Sequence, residues 1–83
     1  MIVKVLGTGC DKCKRLYGEA EKAIAQSGLQ ATVEKVEKID EIVKFRVMTT
    51  PALVIDGEVK CSGRVAAVPE IVSWLMTAAA KTG

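Results

Sequence analysis

The chain of 83 residues has no histidine, only two prolines, and one residue each of tryptophan, tyrosine and phenylalanine. Each scarcity removes a class of function. A closed structural zinc site takes four ligands, and three cysteines without a histidine do not supply them unless a carboxylate or a second chain joins in. Tyr17, Phe45 and Trp74 are nowhere interleaved with a cationic run, so they form no platform on which nucleic-acid bases could stack. Charge of one sign is not concentrated either. Twelve Lys and Arg and ten Asp and Glu are interspersed to a net charge of +2, which gives no basic stripe suited to nucleic acid. Long apolar runs are also missing. The opening Met1–Leu6 is too short for a secretory signal, and no stretch approaches the ~18 apolar residues of a membrane span. A cytoplasmic protein with no membrane partner is expected. In that reducing compartment an odd count of three cysteines at two loci does not read as a structural disulfide framework, which leaves reactive or metal-binding thiols as the options.

What is present suits one small soluble domain over residues 1–83, because two would leave each half too little surface to bury. Hydrophobic residues make up 49% and charged residues 27%, the balance of an ordinary globular chain. Ile2, Val3, Val5 and Leu6 read as a buried strand that ends at the turn Gly7-Thr8-Gly9. From Cys10, positions Cys13, Leu16, Tyr17, Ala20, Ala23, Ile24 and Ser27 recur at helical spacing, and Gly28 supplies the stop. Leu29, Ala31 and Val33 alternate with polar neighbours as a second strand, with Glu34–Lys38 as its solvated end and loop. Asp40 suits the N-cap of a two-turn helix carrying Ile39, Ile42, Val43, Arg46 and Val47, which must end before Thr49-Thr50-Pro51.

Ala52–Ile55 is an uninterrupted apolar strand, and Asp56-Gly57 is a strong hairpin turn. On the returning strand, Glu58 to Cys61, alternation puts Val59 and Cys61 on the core side and Glu58 and Lys60 opposite. A last helix opens near Pro69 and Glu70, buries Ile71, Val72, Leu75, Met76 and Ala79, and leaves Lys81–Gly83 as a frayed tail. The order β-α-β-α-β-β-α is that of an α/β protein with a four-stranded mixed sheet and three flanking helices.

The chemistry is expected at Cys10-Asp11-Lys12-Cys13, where the first strand feeds the first helix. Unpaired N–H groups and the helix dipole favour an anion there by about 0.3–2 kcal/mol, with Lys12, Lys14 and Arg15 adding positive field. Cys10 is therefore the nucleophile, attacking a substrate disulfide. Cys13, one turn further on the apolar face, resolves the mixed disulfide, and the exchange needs no cofactor. No acid lies in the first strand, where Lys4 is the only charge, and water or Lys12 is at hand for proton transfer. Asp11 and Lys12 modulate the pair. A cis bond at Thr50-Pro51 would leave the Thr50 backbone free beside the dithiol, where an extended substrate could pair as an added strand.

The strand, the C-x-x-C at a helix start, and Thr50-Pro51-Ala-Leu-Val-Ile-Asp-Gly57 followed by a hairpin and Gly63 together resemble the thioredoxin superfamily. The resemblance spans nearly the whole chain. Its short length and Gly9-Cys10-Asp11-Lys12-Cys13-Lys14 are similar to small prokaryotic thioredoxin-like, glutaredoxin-sized redox-active disulfide proteins. The resemblance implies a thioredoxin-like fold, a cis Pro51, and thiol-disulfide oxidoreductase activity. It also implies disulfide-containing substrate proteins and a thioredoxin-reductase-like electron donor for a protein expected to act as a monomer. Gly9 stands where thioredoxins have tryptophan, and Asp11-Lys12 where they have Gly-Pro. The Gly-Gly and acidic positions with which glutaredoxins grip glutathione are not seen in Ser62-Gly63-Arg64-Val65.

Two rival readings use the same residues. Gly7-Thr8-Gly9-Cys10-Asp11-Lys12-Cys13 also fits the loop of a soft-metal chaperone holding Cu(I) through two thiolates. That fold, however, runs β-α-β-β-α-β and ends on a strand. A thioredoxin-fold adaptor without redox activity would not need an intact C-x-x-C. Cys61 reads as a small buried hydrophobe, with a regulatory thiol or a third metal ligand as its alternatives.

Overall fold

Val3, Val5 and Leu6 are almost wholly buried while lying on alternate sides of one strand, β1 (Ile2–Leu6). That requires cover on both faces, and the computed structural model, which describes residues 1–82 with side chains through Ala80, shows it. β1 is central in a four-stranded sheet of order β2-β1-β3-β4. It pairs parallel with β2 (Thr32–Val36) and antiparallel with β3 (Ala52–Ile55), which pairs antiparallel with β4 (Glu58–Ser62). Three helices flank the sheet: α1 (Asp11–Ser27), the short α2 (Ile39–Ile42) continued by a 3-10 turn at Val43–Phe45, and α3 (Val68–Thr82). The mixed sheet and element order are those expected from the sequence.

Two apolar clusters hold the layers together. On one face Val3, Val5, Leu53 and Ile55 meet Leu16, Ala20 and Ala23 of α1 and Ile71, Leu75 and Ala78 of α3. On the other, Leu6, Val36, Ala52 and Val54 meet Ile42, with Phe45 and Val47 at the margin. Complete burial of a leucine or isoleucine such as Leu16, Leu53 or Ile55 stabilises the fold by about 1.5–3 kcal/mol each.

Several boundaries differ from the sequence expectation. β2 begins at Thr32 and includes Glu34 and Lys35, because parallel pairing with Ile2–Leu6 recruits the charged stretch into the edge of the sheet. Leu29 and Ala31 precede the strand and pack on the core from the loop. Asp40 is not the cap of α2: Lys38 holds that position, without a side-chain cap, and Asp40 lies in the first turn. Arg46, expected on the helix, is left-handed with φ of 61° and ends the 3-10 turn.

In β4, Cys61 opposes Leu53 and Val59 opposes Val54, so Lys60 is an extra residue and the pleat shifts there. Cys61 faces the α1/α3 cluster as expected, whereas Val59 points to the other face and is exposed. In α3 the buried stripe is Ile71, Leu75 and Ala78, while Met76 is exposed. Helical backbone continues to Thr82, and the Gly83 end of the expected frayed tail lies outside the described residues. No helix among the described residues is long and apolar enough to cross a membrane.

Candidate active site

The end of β1 is pinned by the Gly7 N–H donating to the Val36 carbonyl at 3.0 Å. Gly9, with φ of +91°, then turns the chain, and extended Cys10 (φ −70°, ψ 168°) is the N-cap of α1. The Cys10 sulfur does what a serine oxygen does at many helix starts: it accepts the Cys13 backbone N–H, at 3.3 Å. One helical turn brings the two Sγ atoms within 2.7 Å. Both are free thiols, Cys10 exposed and Cys13 only 6% exposed.

The environments of the two sulfurs separate their acidities. Cys10 is pushed below the ordinary thiol value, first by the hydrogen bond from the Cys13 thiol and next by the Cys13 backbone N–H, with burial opposing. Cys13 is pushed up, chiefly by burial and then by the proton it shares with Cys10. Hydrogen bonds at the helix start therefore lead the lowering at Cys10. Lys12, Lys14 and Arg15, expected to contribute positive field, are all exposed to water, as is Asp11.

Thr50 and Pro51 reach the same place from β3. Their peptide bond is cis, Thr50 is exposed, and Pro51 is buried. The Pro51 carbonyl accepts the Gly63 N–H at 2.8 Å, which ties this loop to the end of β4. Gly7 links the two parts of the site, a role that sequence reading missed by treating it only as part of a turn. A Cβ there would run into the Cys13 sulfur and would lie 3.9 Å from the Pro51 Cα. Only a hydrogen side chain lets β1, α1 and the proline loop meet this closely.

Beside Cys13 a small pocket of about 90 Å³ is lined by Val5, Gly7, Gly9, Cys13, Lys14, Lys35 and Glu37. Lys35 and Glu37 were read in the sequence as a solvated strand end, and only the pairing of β2 beside β1 brings them here. Cys61 packs in the α1/α3 cluster, its thiol pushed up by burial and partly offset by the charge of Arg64.

This arrangement supports dithiol chemistry: an exposed, acidified sulfur within reach of a buried partner. The soft-metal reading finds no support. The chain carries a helix between its second and third strands and a helix, α3, after its last strand, which is not the element order of that fold. Comparison with known proteins agrees. A family model described as a thioredoxin domain matches residues 1–76. A thioredoxin of Methanothermobacter thermautotrophicus is 38% identical over 71 residues, covering 86% of this chain and 92% of that protein. A thioredoxin of Methanocaldococcus jannaschii is 32% identical over 71 residues, covering 86% and 81% respectively. The chain belongs to the thioredoxin domain family and is a thiol-disulfide oxidoreductase.

Proposed function

We propose that Cys10 attacks disulfides of substrate proteins and that Cys13 resolves the resulting mixed disulfide. The observation that carries this reading is the asymmetry of the pair: Cys10 is exposed and acidified, whereas Cys13 is buried with its thiol pushed up. In the cycle the Cys10 thiolate bonds to one substrate sulfur and releases the other. Cys13 then bonds to Cys10, frees the remaining substrate thiol, and leaves a Cys10–Cys13 disulfide two electrons more oxidised. A thioredoxin-reductase-like donor returns the electrons.

Thr50 and Pro51 hold the substrate chain in this reading. Among the described residues no backbone hydrogen bond engages the Thr50 N–H or C=O, so both are open to an extended peptide. Asp11 and Lys12, flanked by the two cysteines, modulate the approach of charged substrates. The protein works as a cytoplasmic monomer of one domain.

Single-cysteine variants test the roles. Cys13→Ser is expected to accumulate mixed disulfides through Cys10, whereas Cys10→Ser accumulates few, read by non-reducing electrophoresis and mass mapping. Equal trapping by both variants would contradict the assignment.

A further inference from the structure

An extended peptide can pair with Thr50 only if the chain on either side of that residue is held in place. Regular structure does not hold it, because residues 48–51 are a run of bends ahead of β3. Both neighbours of Thr50 are held instead by Gly63, the first residue after β4. Its N–H donates to the Pro51 carbonyl at 2.8 Å. Its Cα lies so close to Thr49 that a Cβ would stand 2.8 Å from the Thr49 Oγ1 and 3.3 Å from the Thr49 Cβ. A φ of +79° turns the chain out of β4 while that N–H stays on Pro51.

The position of Gly63 depends in turn on a loop, residues 63–67, that forms neither helix nor strand. Its second residue, Arg64, is tied across the loop to Glu70. Nη1 and Nη2 of Arg64 donate to Oε1 and Oε2 of Glu70 at 3.0 and 2.8 Å. The same Oε1 accepts the Ala67 N–H at 3.1 Å. Glu70 stands in the first turn of α3, and Ile71 and Leu75 anchor that helix in the core with no exposure at all. A two-pronged pair of this kind fixes orientation as well as distance. As a half-exposed ion pair it adds little to global stability, so its main effect is on where the loop sits.

We infer that Arg64 is a positioning residue for substrate binding: its fork on Glu70 sets Gly63, and Gly63 sets both neighbours of Thr50. The guanidinium acts through the main chain and not on the reacting sulfurs. The inference rests on the reading that an extended substrate pairs with Thr50.

The test uses an uncharged peptide whose cysteine is joined through a disulfide to thiopyridine, so that attack by Cys10 releases a coloured thione. The dependence of the release rate on peptide concentration separates binding from chemistry. Arg64→Gln is expected to raise the half-saturating concentration about fivefold, the scale of one backbone hydrogen bond, with the limiting rate and the rate on dithiodipyridine the same. Arg64→Lys keeps the charge but lacks the fork and should not restore binding. Glu70→Gln should weaken binding by a similar factor, and the double variant no further. Exchange of the Gly63 amide should quicken in each variant while the amides of β1 keep their protection. The sign is diagnostic. An Arg64 that met the peptide itself would be freed by Glu70→Gln, so unchanged or tighter binding in that variant overturns the inference, as does unaltered exchange at Gly63. Peptides N-methylated beside the cysteine test the reading beneath it. If the parent protein binds methylated and unmethylated peptides alike, pairing with Thr50 is refuted and the inference falls with it. If the parent distinguishes them and Arg64→Gln keeps the parent's half-saturating concentration, the role of Arg64 alone is refuted.

Discussion

At the scale of single residues two glycines have opposite settings, Gly7 within the site and Gly18 away from it, and substitution separates them. Gly7 lies against the Cys13 sulfur, so Gly7→Ala forces either the dithiol or the proline loop to move. Overpacking of this kind costs about 1–3 kcal/mol, to be read from the urea midpoint, and the displaced Cys13 should also resolve mixed disulfides more slowly. Gly18, inside α1, has nothing within 4 Å of where a Cβ would stand. Gly18→Ala should therefore raise stability by about 0.5–1 kcal/mol without altering exchange, as a glycine removed from a helix interior does. A sequence pattern does not distinguish these cases. The cysteines and Thr50-Pro51 were legible because their residue types carry chemistry or restrict the backbone, but Gly7 is defined by what packs on it from α1 and β3, and Glu37 by a strand pairing.

Elements with strong local punctuation were read closest to their observed limits. Cys10 and Gly28 bracket α1, and Asp56 and Gly57, with φ of 48° and 83°, close the β3/β4 hairpin. β2 was misplaced because it is an edge strand with a single buried residue, Val36, so its alternation is weak. The extra residue at Lys60 has no signature in composition; its side chain is largely covered and pairs with Glu58 at 3.1 Å. The start of α3 carries a pH-dependent contact. The Glu70 carboxylate takes both guanidinium nitrogens of Arg64, at 3.0 and 2.8 Å, and the Ala67 N–H at 3.1 Å, one half of a capping box. Arg64 first, then Ala67, hold the Glu70 carboxyl down to about 2 from 4.5. A carboxyl lowered by folding stabilises fully above its unfolded value and loses that contribution as acid titrates the folded state. Glu70→Gln is therefore expected to lower the urea midpoint slightly at neutral pH, the effect being small for so exposed a pair. Parent and variant should converge as pH falls from about 4.5 to about 2. A constant difference across that range would show that the charge contributes nothing.

On the scale of the whole molecule, the sheet order brings three separate stretches of chain to one place. β1 delivers Gly7 and the dithiol, its antiparallel neighbour β3 delivers Pro51, and its parallel neighbour β2 delivers Lys35 and leads directly to Glu37. Cys61, the third thiol, is held apart in the α1/α3 cluster. The most direct test of the central claim is to equilibrate the protein across a series of dithiol redox buffers and map which thiols protect each other by mass spectrometry. The account predicts one reversible two-electron transition of about 30 mV per tenfold change in equilibrium ratio, confined to Cys10 and Cys13, with Cys61 reduced throughout. A disulfide that includes Cys61, or no reversible couple between Cys10 and Cys13, would contradict it.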